Sequence, residues 1–240
     1  VGIGLGQGKK LPDVLREMGQ IAEGVRTARS ARDLAAREQI SMPITNEMFA
    51  LGLLTATGGN VSAKGEDDTI WITPSRLYKG NLREEDLVRI REDGSTVEGT
   101  RSASVEWMMH FGSYRARPDM TGALHTHAPI ATALGIVGLP FPPINTDAIF
   151  LRDTQLVPWI MPGSKELADA VEEAMKKSRG CFLQNHGLMT VGKTLREAAS
   201  RAMNLEETAK IVLYCKQFGG ELTLIPDEWV EKLAAIADFI

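Results

Sequence analysis

Apolar residues along this chain recur with two different periods, and the switches between them lay out its elements. Between 11 and 38, Leu15, Met18, Ile21, Ala22 and Val25 fall three and four apart, the spacing of one helix face. A short helix is expected over about 46–53, followed by Thr55-Ala56-Thr57-Gly58-Gly59-Asn60-Val61-Ser62. Two glycines and an asparagine between apolar segments make a tight loop, either a plain turn or one whose free backbone amides hold an anion. Thr69-Ile70-Trp71-Ile72-Thr73 reads as a strand closed by Pro74, and 87–90 as another before a turn at Asp93-Gly94. Ser102 or Ser104 then caps a helix running to about 115, which places Glu106 in its first turn and His110 one turn on. A strand carrying His125 and His127 comes next. Beyond it the pattern predicts a short strand at 157–160, a helix over 164–177 capped by Ser164, and a buried strand pair at 181–183 and 188–191 around Asn185-His186-Gly187. A capping box of Thr194 and Glu197 opens a last long helix that closes near Phe218, ahead of Gly219-Gly220. Strands interleaved with helices of these lengths indicate an α/β layered domain, without internal repeat or low-complexity tract.

The chain of 240 residues can bury one good core, or one core plus an appendage. A net charge of −4 with no long basic run leaves no nucleic-acid footprint. No apolar stretch is long enough to span a bilayer, and residues 1–8 lack the basic flank and cleavage pattern of a signal peptide, so a cytoplasmic location is expected. Cys181 and Cys215 lie far apart and outside any C-x-x-C, which argues against thiolate ligation of a metal.

The histidines change the picture most. The chain has four, and three of them fall where one divalent ion can collect them. Side chains at i and i+2 of a strand share a face, so His125 and His127 can aim at the same point. With His186 in its turn and Glu106 upstream they make a nitrogen-rich, nearly tetrahedral set suited to zinc. A lone strand histidine is more often a satisfied core or surface residue. Two in one apolar stretch would leave up to four ring nitrogens to satisfy, a cost that a metal removes. An H-x-H pair occurs in many metalloenzymes, so it indicates a metal more firmly than a reaction.

Taken in order, Thr57-Gly58-Gly59-Asn60-Val61-Ser62, Ile72-Thr73-Pro74-Ser75, Ser104-Val105-Glu106, His125-Thr126-His127 and Asn185-His186-Gly187 closely resemble the class II aldolase/adducin family, which includes L-fuculose-1-phosphate aldolase and L-ribulose-5-phosphate 4-epimerase. The likeness covers roughly 50–217, and a series of ordered motifs is far more specific than any one of them. It implies an α/β/α sandwich around a mainly antiparallel sheet, assembled as a homotetramer with active sites between subunits. It also implies zinc, or another divalent ion such as manganese, on His125, His127 and His186, with Glu106 as fourth ligand at rest and as the acid/base once substrate binds. The shared chemistry is an enediolate or enolate stabilised by the metal. Adducin-type members have lost these ligands and act as structural proteins; all four positions are filled here, which favours an enzyme over an adducin-like module. The family counterpart of His110 is not a ligand, and His110 is read as structural.

The resemblance implies reversible aldol cleavage of a ketose 1-phosphate to dihydroxyacetone phosphate and an aldehyde. The alternative is decarboxylation of a hydroxy-aromatic or 3-oxo sugar acid, with epimerase and dehydratase outcomes less favoured. Thr57, Gly59, Asn60, Ser75 and Ser104 are the implied substrate-binding positions. Arg76 stands where a glycine is usual and Val105 where a second serine is usual. Arg76 can bind a phosphate or a carboxylate bidentately, or be a solvated charge. Thr146 replaces the aldolase tyrosine, and Asp147 beside it lies in a Thr-Asp-Ala context like that of the acid/base of the 4-epimerase.

The first residues resemble a different protein. Gly2-Ile3-Gly4-Leu5-Gly6-Gln7-Gly8, Ala22-Glu23-Gly24-Val25 and Ser41-Met42-Pro43-Ile44-Thr45 are similar to the C-terminal helical part of NAD-dependent glycerol-3-phosphate dehydrogenase. The glycine spacing is not G-x-G-x-x-G and no strand precedes it, so no NAD binding is expected. Residues 1–49 are read as a helical N-terminal extension that packs against a main domain of 50–240.

Overall fold

The computed structural model describes residues 36, 37, 40, 43–138 and 141–236. Side-chain alternation along its strands decides the layering. In β2 (Ile70–Ile72) the two isoleucines join one apolar cluster and Trp71 joins another. Ala123 and Leu124 of β5 (Gly122–Thr126) divide the same way, as do Cys181 and Leu183 against Phe182 in β7 (Gly180–Leu183), and Met189 and Val191 against Leu188 in β8 (Gly187–Gly192). These strands are buried along their whole length, so each reads as a continuous apolar run rather than as hydrophobic-polar alternation. With β1 (Asn60–Lys64), β3 (Val88–Ile90), β4 (Thr96–Glu98) and β6 (Gln155–Val157) they form an eight-stranded sheet of order β4-β3-β2-β1-β5-β8-β7-β6. All neighbours are antiparallel except β6 and β7.

Helices cover both faces. Against Trp71, Leu124, Phe182 and Leu188 lie α1 (Pro43–Ala50), α3 (Pro129–Ile136) and the long α6 (Leu195–Gln217). The opposite face, with Ile70, Ala123 and Met189, is covered by α2 (Trp107–Ala116) and α5 (Lys165–Met175). The short α4 (Thr146–Phe150) packs on α6 and on α7 (Asp227–Ala234). This is the α/β/α sandwich that the family resemblance implies.

The caps follow local chemistry. Ser164 accepts from Leu167 N–H at 3.1 Å and Thr194 from Glu197 N–H at 3.1 Å, each meeting a backbone donor that the first helical turn leaves free. Glu197 returns its carboxylate to Lys193 N–H, one residue earlier than a standard capping box.

Boundaries differ from expectation at three places. The first helix starts at Pro43, whose missing N–H is harmless there, and ends at Ala50 instead of near 53. The strand expected at 157–160 is Gln155–Val157, because Pro158 has no N–H to continue a ladder. Glu106 is not in the first turn of α2 but immediately before it, in the N-cap position with φ −98° and ψ 14°. Its side chain caps nothing and is free to turn inward.

The helix expected over 11–38 lies outside the described residues except for helical Ala36 and Arg37. Ala36 and Ile40 are buried in the cluster around Trp71, and Arg37 lies over the Trp71 ring, 4.7 Å from its centroid, with an ion pair to Glu84 at 3.2 Å.

Gly122, at the start of β5, has no room for a side chain: a Cβ there would collide with the backbone N and Cα of Leu195, where α6 begins. Gly122→Ala is therefore expected to cost about 1–3 kcal/mol as the helix is forced off the sheet, measured as a lower urea midpoint. An unchanged midpoint would show that α6 can shift at no cost.

Candidate metal centre and active site

The site forms where β5 ends. His125 pairs across the sheet with Asn60 of β1 and Met189 of β8, and its side chain leaves on the face that α2 covers. His127 lies just beyond the strand, its N–H held by Leu53 C=O at 2.9 Å. His186 is delivered by the tight turn between β7 and β8. Asn185 there adopts φ 60°, a left-handed conformation that asparagine tolerates better than most residues. Gly187 must be glycine, since a Cβ would run into the carbonyl of Thr126. That near-contact sets the turn directly beside the end of β5.

The ligand atoms of His125, His127 and His186 all lie within 4.8 Å of one another. Their rings stand at 65–70° with centroids 4.6–5.4 Å apart, edges converging rather than faces stacking. Glu106 closes the remaining side: Oε2 is 3.4 Å from His125 Nε2 and Oε1 is 3.2 Å from His186 Nε2. All four residues named from the sequence are brought together.

These residues fit a divalent cation. The Nδ1–H of His125 donates to Leu188 C=O at 2.8 Å, so in the neutral ring Nε2 keeps its lone pair and points it at the centre. That lone pair faces His127 Nε2 at 3.0 Å, a repulsive pair of acceptors unless a proton or a cation stands between them. Glu106 Oε1 and His186 Nδ1 are buried without a hydrogen-bond partner among the described residues. Burial pushes the His125 imidazole down to about 3 and lowers His127 too, so both rings are neutral at neutral pH. Burial also pushes the Glu106 carboxyl up, but His125, His186 and the Asn60 amide together pull it further the other way, and it stays ionised. Neutral imidazoles and one carboxylate are the protonation states that a metal requires. A set of three nitrogens and one oxygen suits zinc and its first-row neighbours.

The glycine-rich loop forms a wall of the site. A Cβ on Gly58 would fall 2.6 Å from His127 Nδ1, and one on Gly59, at φ 79°, would fall 2.9 Å from the His125 carbonyl. Thr57 is exposed at the rim. Asn60 is buried, and its amide is engaged at both ends: Nδ2 donates to Glu106 Oε2 at 2.8 Å and Oδ1 meets His110 Nε2 at 2.5 Å. Ser104 accepts from Glu106 N–H at 3.3 Å. Two of the expected substrate contacts thus turn their side chains toward Glu106.

Ser75 and Arg76 follow a segment that runs beside the residues leading into Glu106. The segments 73–75 and 102–104 run side by side, with Ser75 N–H on Ser102 C=O at 3.0 Å. Next to them is a cleft of about 610 Å³ bordered by Ser75, Arg76, Thr100, Arg101, Ser102 and Val105. Arg101 is committed to Asp86 at 2.6 Å. Arg76 is exposed, has no hydrogen bond or ion pair among the described residues, and sits at φ 57°, a conformation costing an L-residue roughly 1–2 kcal/mol. Asp147 is exposed in the first turn of α4, and among the described residues no bond joins it to the histidines.

Sequence reasoning missed the buried polar residues behind Glu106, namely Ser62, His110 and Tyr114. The signal was available: 60 and 62 share a strand face, and 106, 110 and 114 recur at intervals of four.

The family described as Class II Aldolase and Adducin N-terminal domain matches residues 42–213, across the sheet and all four cluster residues. This chain belongs to that family. A 5-deoxy-D-ribulose 1-phosphate aldolase from Bacillus thuringiensis serovar kurstaki is 34% identical over 200 residues, covering 82% of this chain and 93% of the relative. A 3-oxo-tetronate 4-phosphate decarboxylase from Escherichia coli K12 is 32% identical over 184 residues, covering 73% and 85%. Among solved structures, an L-fuculose 1-phosphate aldolase superposes with a TM-score of 0.77 at 30% identity, covering 88% of this chain and all of that one. The class II aldolase family member described here is accordingly an enzyme, a lyase of the aldolase type. Residues 1–52 separately match the NAD-dependent glycerol-3-phosphate dehydrogenase C-terminus.

A His125→Ala, His127→Ala double variant is expected to lose its divalent metal, because two remaining donors no longer surround the ion. Elemental analysis of purified parent and variant reads this directly. Equal metal content in the two proteins would move the binding site elsewhere.

Proposed function

We propose that this enzyme is a divalent-metal-dependent aldolase that reversibly cleaves a ketose 1-phosphate to dihydroxyacetone phosphate and an aldehyde. One observation carries the reading: a buried carboxylate, Glu106, lies 3.2–3.4 Å from two of three converging imidazoles, and its chain neighbour Val105 borders the cleft of Arg76, an arginine without an ion pair among the described residues. His125, His127 and His186, with Glu106 at rest, would hold the ion, zinc or manganese. When bound, it supplies Lewis-acid polarisation of a substrate carbonyl, worth several kcal/mol to a carbanion-forming step.

The chain's own residues do the rest. In the cleavage direction the C3–C4 bond breaks, the C4 hydroxyl gives up its proton as it becomes the aldehyde carbonyl, and C3 keeps the electron pair. The ionised Glu106 takes up that hydroxyl proton and delivers it to C3, and in condensation it removes the C3 proton and returns it to the new C4 oxygen. Oε1 suits this exchange, having no hydrogen-bond donor among the described residues, while Asn60 holds Oε2. Ser75 and Arg76 are assigned to the anionic end of the substrate, Arg76 through a charge-assisted fork. Thr57 and the Gly59 backbone are assigned to the substrate from the glycine-rich loop.

A second reading has specific support. Decarboxylation leaves the same electron pair on carbon, a relative 32% identical is a 3-oxo-tetronate 4-phosphate decarboxylase, and Arg76 suits a carboxylate as well as a phosphate. We also infer a cytoplasmic homotetramer with active sites at subunit boundaries. Val105, beside Glu106, is 61% exposed, and Trp159 and Met161, in the segment that reaches the Val105 carbonyl at Gly163, are 55% and 61% exposed, apolar surface that a neighbouring subunit would cover. Among the described residues no helix is long and apolar enough to cross a membrane.

Two substitutions test the assignment. Glu106→Gln should retain the fold and much of the metal while kcat falls about 10²- to 10⁴-fold; activity within a few-fold of the parent would make another group the acid/base. Arg76→Ala should raise KM for a phosphorylated ketose on the order of tenfold, as expected from losing one charge-assisted contact. Assays of ketose 1-phosphates and 3-oxo acids, with aldehyde and carbon dioxide both measured, separate the two reactions. Carbon dioxide release without aldehyde formation would replace the aldolase reading by the decarboxylase.

A further inference from the structure

The residues behind Glu106 form a single file of hydrogen bonds in which each role determines the next. Glu106 Oε2, an ionised oxygen, can only accept, so Asn60 must turn Nδ2 toward it, at 2.8 Å. Asn60 Oδ1 then faces His110 Nε2 at 2.5 Å, and that nitrogen must carry the proton. In a neutral imidazole Nδ1 is left as an acceptor, and Ser62 Oγ–H donates to it at 2.7 Å. Tyr114 closes the file, lying 2.9 Å from Ser62 Oγ and donating to Ser62 C=O at 3.0 Å. None of this is open to water: Ser62 and His110 are fully buried, Asn60 is 3% exposed and Tyr114 5%. Water cannot replace a missing partner, so one tautomer and one amide orientation are selected.

We infer that His110 is a positioning residue for proton transfer: it sets the direction of the Asn60 amide and thereby the place and direction of the Glu106 carboxylate. The inference rests on the proposed role of Glu106 and extends it to a residue that touches neither substrate nor metal ligand. Without the His110 donor, Asn60 Oδ1 is buried with no partner and the amide is no longer held at both ends, so Nδ2 loses its fixed place against the carboxylate. Glu106 would then move or turn, taking Oε1 out of line with the reacting carbon. A misplacement of this kind lowers the rate far more than it weakens binding.

The test compares His110→Leu, which keeps bulk but neither hydrogen bond, with His110→Gln, whose amide nitrogen and oxygen are spaced much as the two ring nitrogens and can serve Asn60 and Ser62 together. His110→Leu should lower kcat about ten- to a hundredfold, the size of one hydrogen bond to a charged group, with KM within about threefold and metal content unchanged. His110→Gln should recover most of the kcat. Equal losses in the two variants, or a loss expressed in KM or metal content, would reduce His110 to a packing residue. If His110→Leu does not fold, Ser62→Ala takes its place: it removes the donor that fixes the tautomer and should lower kcat while leaving metal content intact, and a parental kcat there overturns the inference. A readout free of turnover separates this inference from the aldolase reading. Nitrogen-15 NMR of histidine-labelled parent protein should show a buried ring protonated at Nε2 alone, its signals missing from His110→Gln. If the signals lost in His110→Gln belong instead to a ring protonated at Nδ1, the inference is overturned whatever reaction the enzyme catalyses, whereas an Nε2–H ring at His110 in a protein that turns over no aldol substrate would leave the positioning intact and fail only the reaction.

Discussion

Glu106 is a carboxylate taken out of water, and much of the surrounding architecture meets the need to keep it charged. A buried charge without partners costs several kcal/mol or becomes neutral. Here one oxygen accepts from Asn60, the backbone N–H is met by Ser104, and two imidazoles stand 3.2 and 3.4 Å away. None of these partners is near Glu106 in the chain except Ser104. Asn60 comes from β1, His125 from β5 and His186 from the turn before β8, so the carboxylate can be held only once β1, β5 and β8 have paired in register. A slip of one residue between β1 and β5 would turn Asn60 to the opposite face, under α6, and strand the charge.

The sheet makes that register hard to lose. β5 and β8 are covered on both faces, and β5 presents Leu124 to one helix layer and Ala123 with His125 to the other. The polar residues toward α2 therefore interrupt an otherwise apolar layer: Ser62, Asn60 and His125 on strands meet Glu106, His110 and Tyr114 on or beside the helix. Each is tied to another, which is why an apolar layer can contain them.

How much of this is legible in the sequence depends on distance along the chain. His125 and His127 show themselves because two residues of one strand must share a face, and His186 because Asn-His-Gly is a turn that few residues can make. The layered α/β class follows from the order of periodic segments, and Ser164 and Thr194 announce their helices through bonds only three residues long. Pairings of residues 46 to 50 positions apart, such as Asn60 with Glu106 and His110, have no local signature. Asn60 accordingly reads as a substrate contact although its side chain serves Glu106, and His110 reads as structural filling. Glu106 itself is misplaced by one position because the periodicity of α2 says where a helix runs but not which backbone turn precedes it. The cleft beside Arg76 is built from two segments some 25 residues apart, held by backbone bonds that any side chains could make.

The contrast between Gly187 and Arg76 separates two degrees of tolerance to substitution. The turn bearing His186 is wedged against the Thr126 carbonyl so tightly that a methyl group at Gly187 would displace it, whereas Arg76 projects from an exposed bend and, among the described residues, is tied to nothing. The histidines are lodged in the least forgiving part of the molecule and the arginine proposed for recognition in one of the most permissive. Side chains around that bend can be replaced one at a time while the histidines stay locked in place.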